Sequence, residues 1–146
     1  MKQLHELTIK EVHEGYRSKS FSCVDLVKHF LSRIEKYNPK LKTFLALNEH
    51  ALEQAAAIDK EIAEKGIDRE LLGIPMAIKD NFLTIGISTT ASSHILEGYM
   101  PQYESSVTSK LLAAGAIFLG KTNMDSFAHG SSTETSDFGP THNPWN

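Results

Sequence analysis

The sequence predicts an α/β fold in which a helical layer precedes the mixed or parallel strands of an incomplete sheet. The first third has apolar residues at helical spacing behind Ser and Thr start signals. Past residue 70, short apolar strands alternate with polar turns and one helix. The order strand, helix, strand favours a parallel pair with a right-handed crossover. Residues 1–66 are therefore assigned to the helical layer and residues 67–146 to the start of the sheet core of one domain.

Two helices are predicted at the start of the chain. Thr8 and Glu11 are spaced as in a capping box, which predicts a short helix from residue 9 to about residue 19. Ser22 and Asp25 repeat that spacing before a second helix. The apolar residues of the second helix fall on one face: Cys23, Val27, Phe30, Leu31 and Ile34.

A strand and a third helix follow. Asn38-Pro39 is expected to end the second helix, because the residue before a proline disfavours helical backbone. Residues 43–47 are β-branched and apolar, which predicts a strand. Asn48 is expected to cap a third helix through about Lys65, and Gly66 suits the left-handed backbone that stops a helix.

The second range holds the predicted parallel pair. Residues 74–78 and residues 116–119 each predict a buried strand. Between them, Ser106 is expected to cap a helix over residues 107–114, and Gly115 to close it.

Composition excludes several classes of protein. The 146 residues, 40% hydrophobic and 23% charged, suit one ordinary globular domain. The longest apolar runs are too short to cross a bilayer, so no membrane partner is expected. The start of the chain has no signal-peptide core, and a single cysteine, Cys23, allows no internal disulfide; both favour the cytoplasm. A net charge of -3 without a Lys/Arg cluster gives no nucleic-acid footprint.

Lys79 is the strongest candidate for chemistry. It follows the apolar strand 74–78, which is expected to be buried and to deliver the amine to the carboxyl edge of the sheet, where α/β proteins commonly bind ligands. A desolvated ammonium gives up its proton more readily, and a neutral lysine can serve as general base toward a hydroxyl nucleophile. The alternative is a solvated surface lysine.

Other polar segments carry weaker signals. Residues 120–123, Gly-Lys-Thr-Asn, lack P-loop spacing and are interpreted as a helix-start loop, with Thr122 or Asn123 capping a turn. The Ser/Thr run of residues 131–136 could bind an anion through amides and hydroxyls, or be an ordinary polar loop. The seven histidines show no metal-ligand spacing, and no G-x-S-x-G elbow is present.

Several blocks together resemble the amidase-signature family. Residues 72–81, LGIPMAIKDN, resemble the strand that carries the catalytic lysine in that family, and residues 120–125, GKTNMD, resemble its next shared block. The blocks at residues 127–134, 138–141 and 143–145 are most similar to the tRNA-dependent amidotransferase branch. The resemblance covers nearly the whole chain.

The resemblance implies a Ser-cisSer-Lys mechanism, in which a lysine accepts a proton through a serine and a second serine attacks the amide carbonyl. Lys79 matches the lysine. The Gly/Ser-rich segment with both serines is expected after Trp145, so Ser131 and Ser132 do not take those roles. The lone tryptophan near the end also favours further polypeptide, because a large aromatic needs a core.

The family pattern also implies a substrate pocket bordered by Ala128, His129 and Gly130. Related amidotransferases often have Met at the position of His129, which puts that pocket contact in doubt. They often have an acidic residue at the position of Ser126, a difference that concerns a surface turn.

The same resemblance implies partners, the B and C subunits of an amidotransferase. Glutamine would be hydrolysed in this chain, and its ammonia would pass to the B subunit, which activates Glu-tRNA(Gln) with ATP and magnesium. The small C subunit would wrap the interface. No cofactor and no metal are then expected in this chain. The alternatives are a free-standing amidase acting on small amides, and a non-catalytic truncated product or small binding module.

The 146-residue chain alone is expected to hydrolyse no glutamine, because neither family serine is matched within it. Purified chain would be incubated with glutamine, and released glutamate and ammonia would be measured. Turnover by the fragment would contradict the assignment of both serines to later polypeptide.

Overall fold

The structure is a computed structural model that describes residues 2–145, and it confirms the α/β class. Residues 2–145 contain four helices and three strands in this order: α1 (Ile9–Arg17), α2 (Cys23–Leu41), β1 (Phe44–Leu47), α3 (Ala51–Lys65), β2 (Pro75–Lys79), α4 (Ser106–Ala113) and β3 (Ile117–Thr122). Short 3-10 turns occupy Leu4–Glu6, His94–Leu96 and Ser126–Ala128. None of the helices in residues 2–145 combines the length and apolar character needed to cross a membrane.

Both predicted capping boxes are confirmed. The Glu11 amide donates to Thr8 Oγ1 at 3.3 Å, and the Thr8 amide donates back to Glu11 Oε2 at 2.8 Å. At the start of α2, the Asp25 amide donates to Ser22 Oγ at 3.0 Å and the Ser22 amide donates to Asp25 Oδ2 at 2.9 Å. Each pair satisfies two backbone donors that a helix start otherwise leaves free.

The predicted end of α2 is wrong. The helix continues through Pro39 to Leu41 and stops at Lys42, which has left-handed backbone (φ 53°). The Asn38 side chain bonds the next strand instead: it accepts from the Phe44 amide at 2.7 Å and donates to the Phe44 carbonyl at 3.0 Å. A proline in the last turn removes one helical donor, and the remaining contacts hold that turn in place.

Two further helix starts are displaced. Asn48 is buried, and its amide group donates to the Phe118 carbonyl at 2.8 Å while its Oδ1 accepts from the His50 amide at 3.0 Å, so α3 begins only at Ala51. Ser105 caps α4 instead of Ser106, with the Thr108 amide donating to Ser105 Oγ at 3.2 Å.

Glycines end α3 and α4 as expected. Gly66 follows α3 with φ 78° and Gly115 follows α4 with φ 95°. A Cβ at Gly115 would lie 2.7 Å from Leu72 Cα, so this position also needs glycine for close packing.

The sheet has the order β1-β3-β2. The β2–β3 pair is parallel, as predicted, and β1 is antiparallel to β3. β3 extends to Thr122, so the predicted helix-start loop at residues 120–123 is wrong: Gly120, Lys121 and Thr122 belong to the strand. β1 lies within residues 1–66 yet pairs with β3.

The prediction that residues 74–78 are all buried is also wrong. Ile74 and Ile78 are buried, Met76 is half-buried, and Ala77 and Lys79 are exposed. β2 pairs on one side only within the described residues, and its side chains alternate between two environments as in a half-buried strand.

The helical layer packs on one face of the sheet. Its core combines α1, α2 and α3 with β3: Val12, Tyr16, Leu26, Val27, Ala51, Ala55, Ile117 and Leu119 are all buried. Cys23 lies in this core as a free thiol with no exposed surface, and burial raises its pKa to about 12. Such a thiol is unreactive while the chain is folded.

Tyr16→Phe is expected to destabilise this layer. The Tyr16 hydroxyl donates to the buried Gly73 carbonyl at 2.8 Å, and leaving that acceptor without its oxygen donor costs about 1–3 kcal/mol. The free energy of unfolding would be measured by urea denaturation. Tyr37→Phe on α2 is the matched control, because that side chain is 38% exposed. Equal losses in the two variants would contradict a structural role for the Tyr16 hydroxyl.

Candidate active site

The carboxyl ends of the parallel strands bring two lysines to one edge of the sheet. Lys79 lies opposite Thr122, and Ile78 lies opposite Lys121. The Lys79 side chain is exposed, whereas Lys121 has no exposed surface. The two lysines therefore occupy opposite environments although they belong to neighbouring strands.

A register shift in β3 explains the burial of Lys121. Phe118 pairs with Met76, but the next pair is Gly120 with Ala77, so β3 carries one extra residue. Such a bulge re-aims the side chains that follow it. Lys121 consequently lies opposite Ile78, whose side chain is buried with Phe118 in the second apolar cluster.

Lys121 forms a buried ion pair with Asp80. Its Nζ lies 3.4 Å from Asp80 Oδ1 and donates to the Phe82 carbonyl at 2.7 Å and to Thr89 Oγ1 at 2.6 Å. Burial lowers the pKa of Lys121, and the Asp80 carboxylate opposes that shift. Among the described residues, Asp80 Oδ1 has no hydrogen bond, so the ammonium is the group that compensates its charge.

The other carboxylate oxygen of Asp80 holds a loop. Oδ2 accepts from the amides of Thr90 at 3.1 Å and Ser92 at 3.2 Å, and from Thr90 Oγ1. Ala91 and Ser92 have left-handed backbone in this loop (φ 49° and 55°). Asp80 directly follows Lys79, so these bonds fix the backbone from which the Lys79 side chain leaves.

Asn123 joins this loop to the end of the chain. Its Oδ1 accepts from Ser92 Oγ at 3.1 Å and from Ser136 Oγ at 2.7 Å, and its Nδ2 donates to the Gly139 carbonyl at 2.8 Å. The backbone N–H of Asn123 donates to the Thr43 carbonyl at 2.7 Å. From the sequence, Asn123 was predicted only as a possible cap of a turn in a helix-start loop.

The Ser/Thr run of residues 131–136 does bind an anion, and the anion is the Asp125 carboxylate. Oδ2 accepts from the amides of Ser132 and Thr133, each at 2.8 Å. Oδ1 accepts from Thr135 Oγ1 at 2.8 Å and from its amide at 3.2 Å. These bonds, led by that from the Thr133 amide, lower the pKa of Asp125 to about 2. A D-x₆-S-T-x-T spacing is the signal that could have revealed this contact.

The three predicted pocket residues lie on the exposed side of that loop. Ala128, His129 and Gly130 are exposed, and Ala128 has left-handed backbone (φ 64°). Their contact with a substrate stays a prediction, as does the catalytic role of Lys79. Within residues 2–145, no three His, Cys, Asp or Glu side chains are grouped to hold a metal ion.

Comparison of the sequence with known proteins finds relatives that all belong to one family. A model of the amidase family matches residues 25–146. The A subunit of glutamyl-tRNA(Gln) amidotransferase from Prochlorococcus marinus (strain NATL2A) is 52% identical over 141 residues, covering 96% of this chain and 29% of that protein. Its counterpart from Dehalococcoides mccartyi (strain ATCC BAA-2266 / KCTC 15142 / 195) is 49% identical over 147 positions, covering 100% and 30%.

Solved structures with a similar backbone are of the same kinds of protein. The peptide amidase of Stenotrophomonas maltophilia superposes with a TM-score of 0.88 at 29% identity, over 97% of this chain and 30% of that chain. The A subunit of glutamyl-tRNA(Gln) amidotransferase from Thermotoga maritima superposes with a TM-score of 0.78 at 34% identity, over 100% and 29%. The chain spans less than a third of the length of these relatives and matches the N-terminal part of the curated ones.

Lys121→Met is expected to destabilise the chain by about 3–5 kcal/mol, because it leaves a buried carboxylate without its countercharge. Asp80→Asn in the same chain removes that charge, so the double variant should lose at least about 1 kcal/mol less than the sum of the two single losses. The free energy of unfolding would be measured for all four members of the cycle.

Lys110→Met, on an exposed position of α4, is the matched control and should change stability by less than about 0.5 kcal/mol. Additive losses at Asp80 and Lys121 would show that the pair does not act as a unit.

Proposed function

The chain belongs to the amidase family, and from this membership we propose that it forms the N-terminal part of the glutaminase subunit of a tRNA-dependent amidotransferase. In this proposal, glutamine is hydrolysed to glutamate and ammonia, and the ammonia serves to convert Glu-tRNA(Gln) to Gln-tRNA(Gln). The observation that carries it is the 52% identity to the A subunit of a glutamyl-tRNA(Gln) amidotransferase over 96% of the chain.

Lys79 is the general base of the proposed reaction. It accepts a proton through the cis-held serine while the second serine attacks the amide carbonyl. Its position supports this role, since it stands at the carboxyl end of β2 and its neighbour Asp80 is locked to Lys121 and to the loop of Thr90 and Ser92.

The desolvation that the mechanism needs must come from further polypeptide. Lys79 is exposed among residues 2–145, so the strand alone does not exclude water from its amine. In this proposal the polypeptide after Trp145 supplies both serines and covers Lys79. The relatives are more than three times as long as this chain, which leaves ample length for such a segment.

The remaining chemistry belongs to partners. The B subunit receives the ammonia and activates Glu-tRNA(Gln) with ATP and magnesium, and the C subunit wraps the interface of the other two. The net charge of -3 and the lack of a basic cluster in this sequence fit a division in which the tRNA is held mainly by the partner.

A free-standing amidase is the second candidate. The backbone superposes on a peptide amidase with a higher TM-score, 0.88, than on an amidotransferase subunit, 0.78. The sequence favours the first candidate, because identity is 52% to an amidotransferase A subunit, compared with 29% to that amidase. Affinity purification separates the two candidates when it is done on the full chain, meaning this sequence extended by the polypeptide that the proposal places after Trp145. Co-purification of two further proteins supports the amidotransferase, and a lone active amide hydrolase contradicts it.

Lys79→Ala in the full chain is expected to lower kcat for glutamine at least about a hundredfold, because the general base is removed. The fold should persist, because the pairing of β2 with β3 is made by backbone atoms, which alanine keeps. Glutamate release and thermal unfolding would be measured together. Lys60→Ala, an exposed lysine on α3, is the matched control and should keep normal turnover. Near-normal turnover by Lys79→Ala would remove Lys79 from the mechanism.

A further inference from the structure

Strained backbone is concentrated beside Lys79. Two pairs of adjacent non-glycine residues have left-handed backbone: Ala91 and Ser92 (φ 49° and 55°), and Phe127 and Ala128 (φ 51° and 64°). The pairs touch, because the Phe127 amide donates to the Ala91 carbonyl at 3.0 Å. The Ala91 amide in turn donates to the carbonyl of Asp80 at 3.2 Å, one residue from Lys79.

Such backbone needs support from its surroundings. Each residue in a sparsely populated conformation costs on the order of 1–3 kcal/mol and persists only where neighbouring contacts determine it. In the second pair the support is Asp125. Its carbonyl accepts from the Ala128 amide at 2.8 Å, and its carboxylate accepts the four bonds from Ser132, Thr133 and Thr135 described above.

The loop closes tightly around this carboxylate. Asp125 is 4% exposed, while residues 127–132 are exposed around it. A Cβ at Gly130 would lie 2.5 Å from Asp125 Cγ and within 2.8 Å of both carboxylate oxygens. The four hydrogen bonds prevent the carboxylate from moving aside, so Gly130 permits a contact that another residue would break.

Residues 127–130 are therefore held on their inner side by Asp125 and are exposed on their outer side. The buried Asp125 carboxylate fixes the backbone path of the segment. Two backbone hydrogen bonds, from Phe127 to Ala91 and from Ala91 to Asp80, link it to the strand end that carries Lys79. We propose that Asp125 is a positioning residue, which holds residues 127–130 in the conformation that borders the amide substrate opposite Lys79. This inference rests on the proposed function and adds the device that shapes the substrate side of the site.

The test is steady-state kinetics of the full chain with glutamine. Asp125→Asn replaces one acceptor oxygen with an amide NH2 donor and removes the charge, whereas Gly130→Ala displaces the same carboxylate from the other side with its charge retained. Both variants should lower kcat/KM by roughly tenfold to a hundredfold, with most of the loss in KM, because substrate contacts are misplaced while the base remains. Rates are expressed per folded molecule, with the folded fraction taken from near-ultraviolet circular dichroism.

Hydrogen exchange supplies the structural readout. The amides of Ser132, Thr133 and Thr135 should exchange faster in both variants. Asp25→Asn is the matched control, since Asp25 also accepts a backbone amide and has a lowered pKa caused by its bonds to Ser22, but lies at the start of α2. It should leave kcat and KM within about twofold, as expected of a surface cap remote from substrate.

The outcomes are separable. Faster exchange with unchanged KM and kcat would overturn the positioning role and leave the proposed function intact. A fall in kcat at constant KM in both variants would also overturn it, because the loss would then lie in the chemical step. A wild-type full chain, with the polypeptide that the proposal places after Trp145, that hydrolyses no glutamine would overturn the proposed function, and this inference with it.

Discussion

The buried pair of Asp80 and Lys121 is the interaction on which the candidate site depends. It joins the end of β2 to the end of β3 and, through the second oxygen of Asp80, to the loop at Thr90 and Ser92. A charge pair without exposed surface is expensive to desolvate, so it contributes geometry more surely than net stability. The buried pair therefore fixes the backbone position from which the exposed Lys79 side chain extends.

A second carboxylate repeats the arrangement on the next segment. Asp80 and Asp125 each follow a strand closely, each is buried, and each is held by backbone amides of a loop with left-handed residues. Asn123 stands between them and binds both loops through Ser92 and Ser136. Irregular backbone at this sheet edge is thus organised by a few hydrogen-bond acceptors.

Local signals predicted the fold class and most elements from the sequence. The capping boxes at Thr8 and Ser22 were confirmed because their partners lie three residues away, within the same helix turn. Asn38, Asn48 and residues 120–122 were misplaced because their contacts come from other elements. The side chain of Asn38 serves β1, that of Asn48 serves β3, and the burial of Lys121 depends on a register shift.

The same limit applies to the site. The strand end that carries Lys79 was predictable from a short apolar run, but its exposure was not, since burial depends on what covers the strand. Lys121 was set aside because a lysine gives no sign in sequence of a carboxylate that lies far away along the chain. The sequence left the Ser/Thr run open between an anion binder and an ordinary polar loop, and only the folded chain identifies the Asp125 carboxylate as its partner.

The single cysteine gives the molecule an internal reporter. Cys23 packs where α1, α2 and the segment before β2 meet, within 3.6 Å of the Gly73 carbonyl, and has no exposed surface. Alkylating reagents can reach its sulfur only when these elements separate. The rate at which this thiol is alkylated therefore reports how often the helical layer opens. No cysteine has to be introduced for the measurement, and the sequence contains no second thiol that would compete.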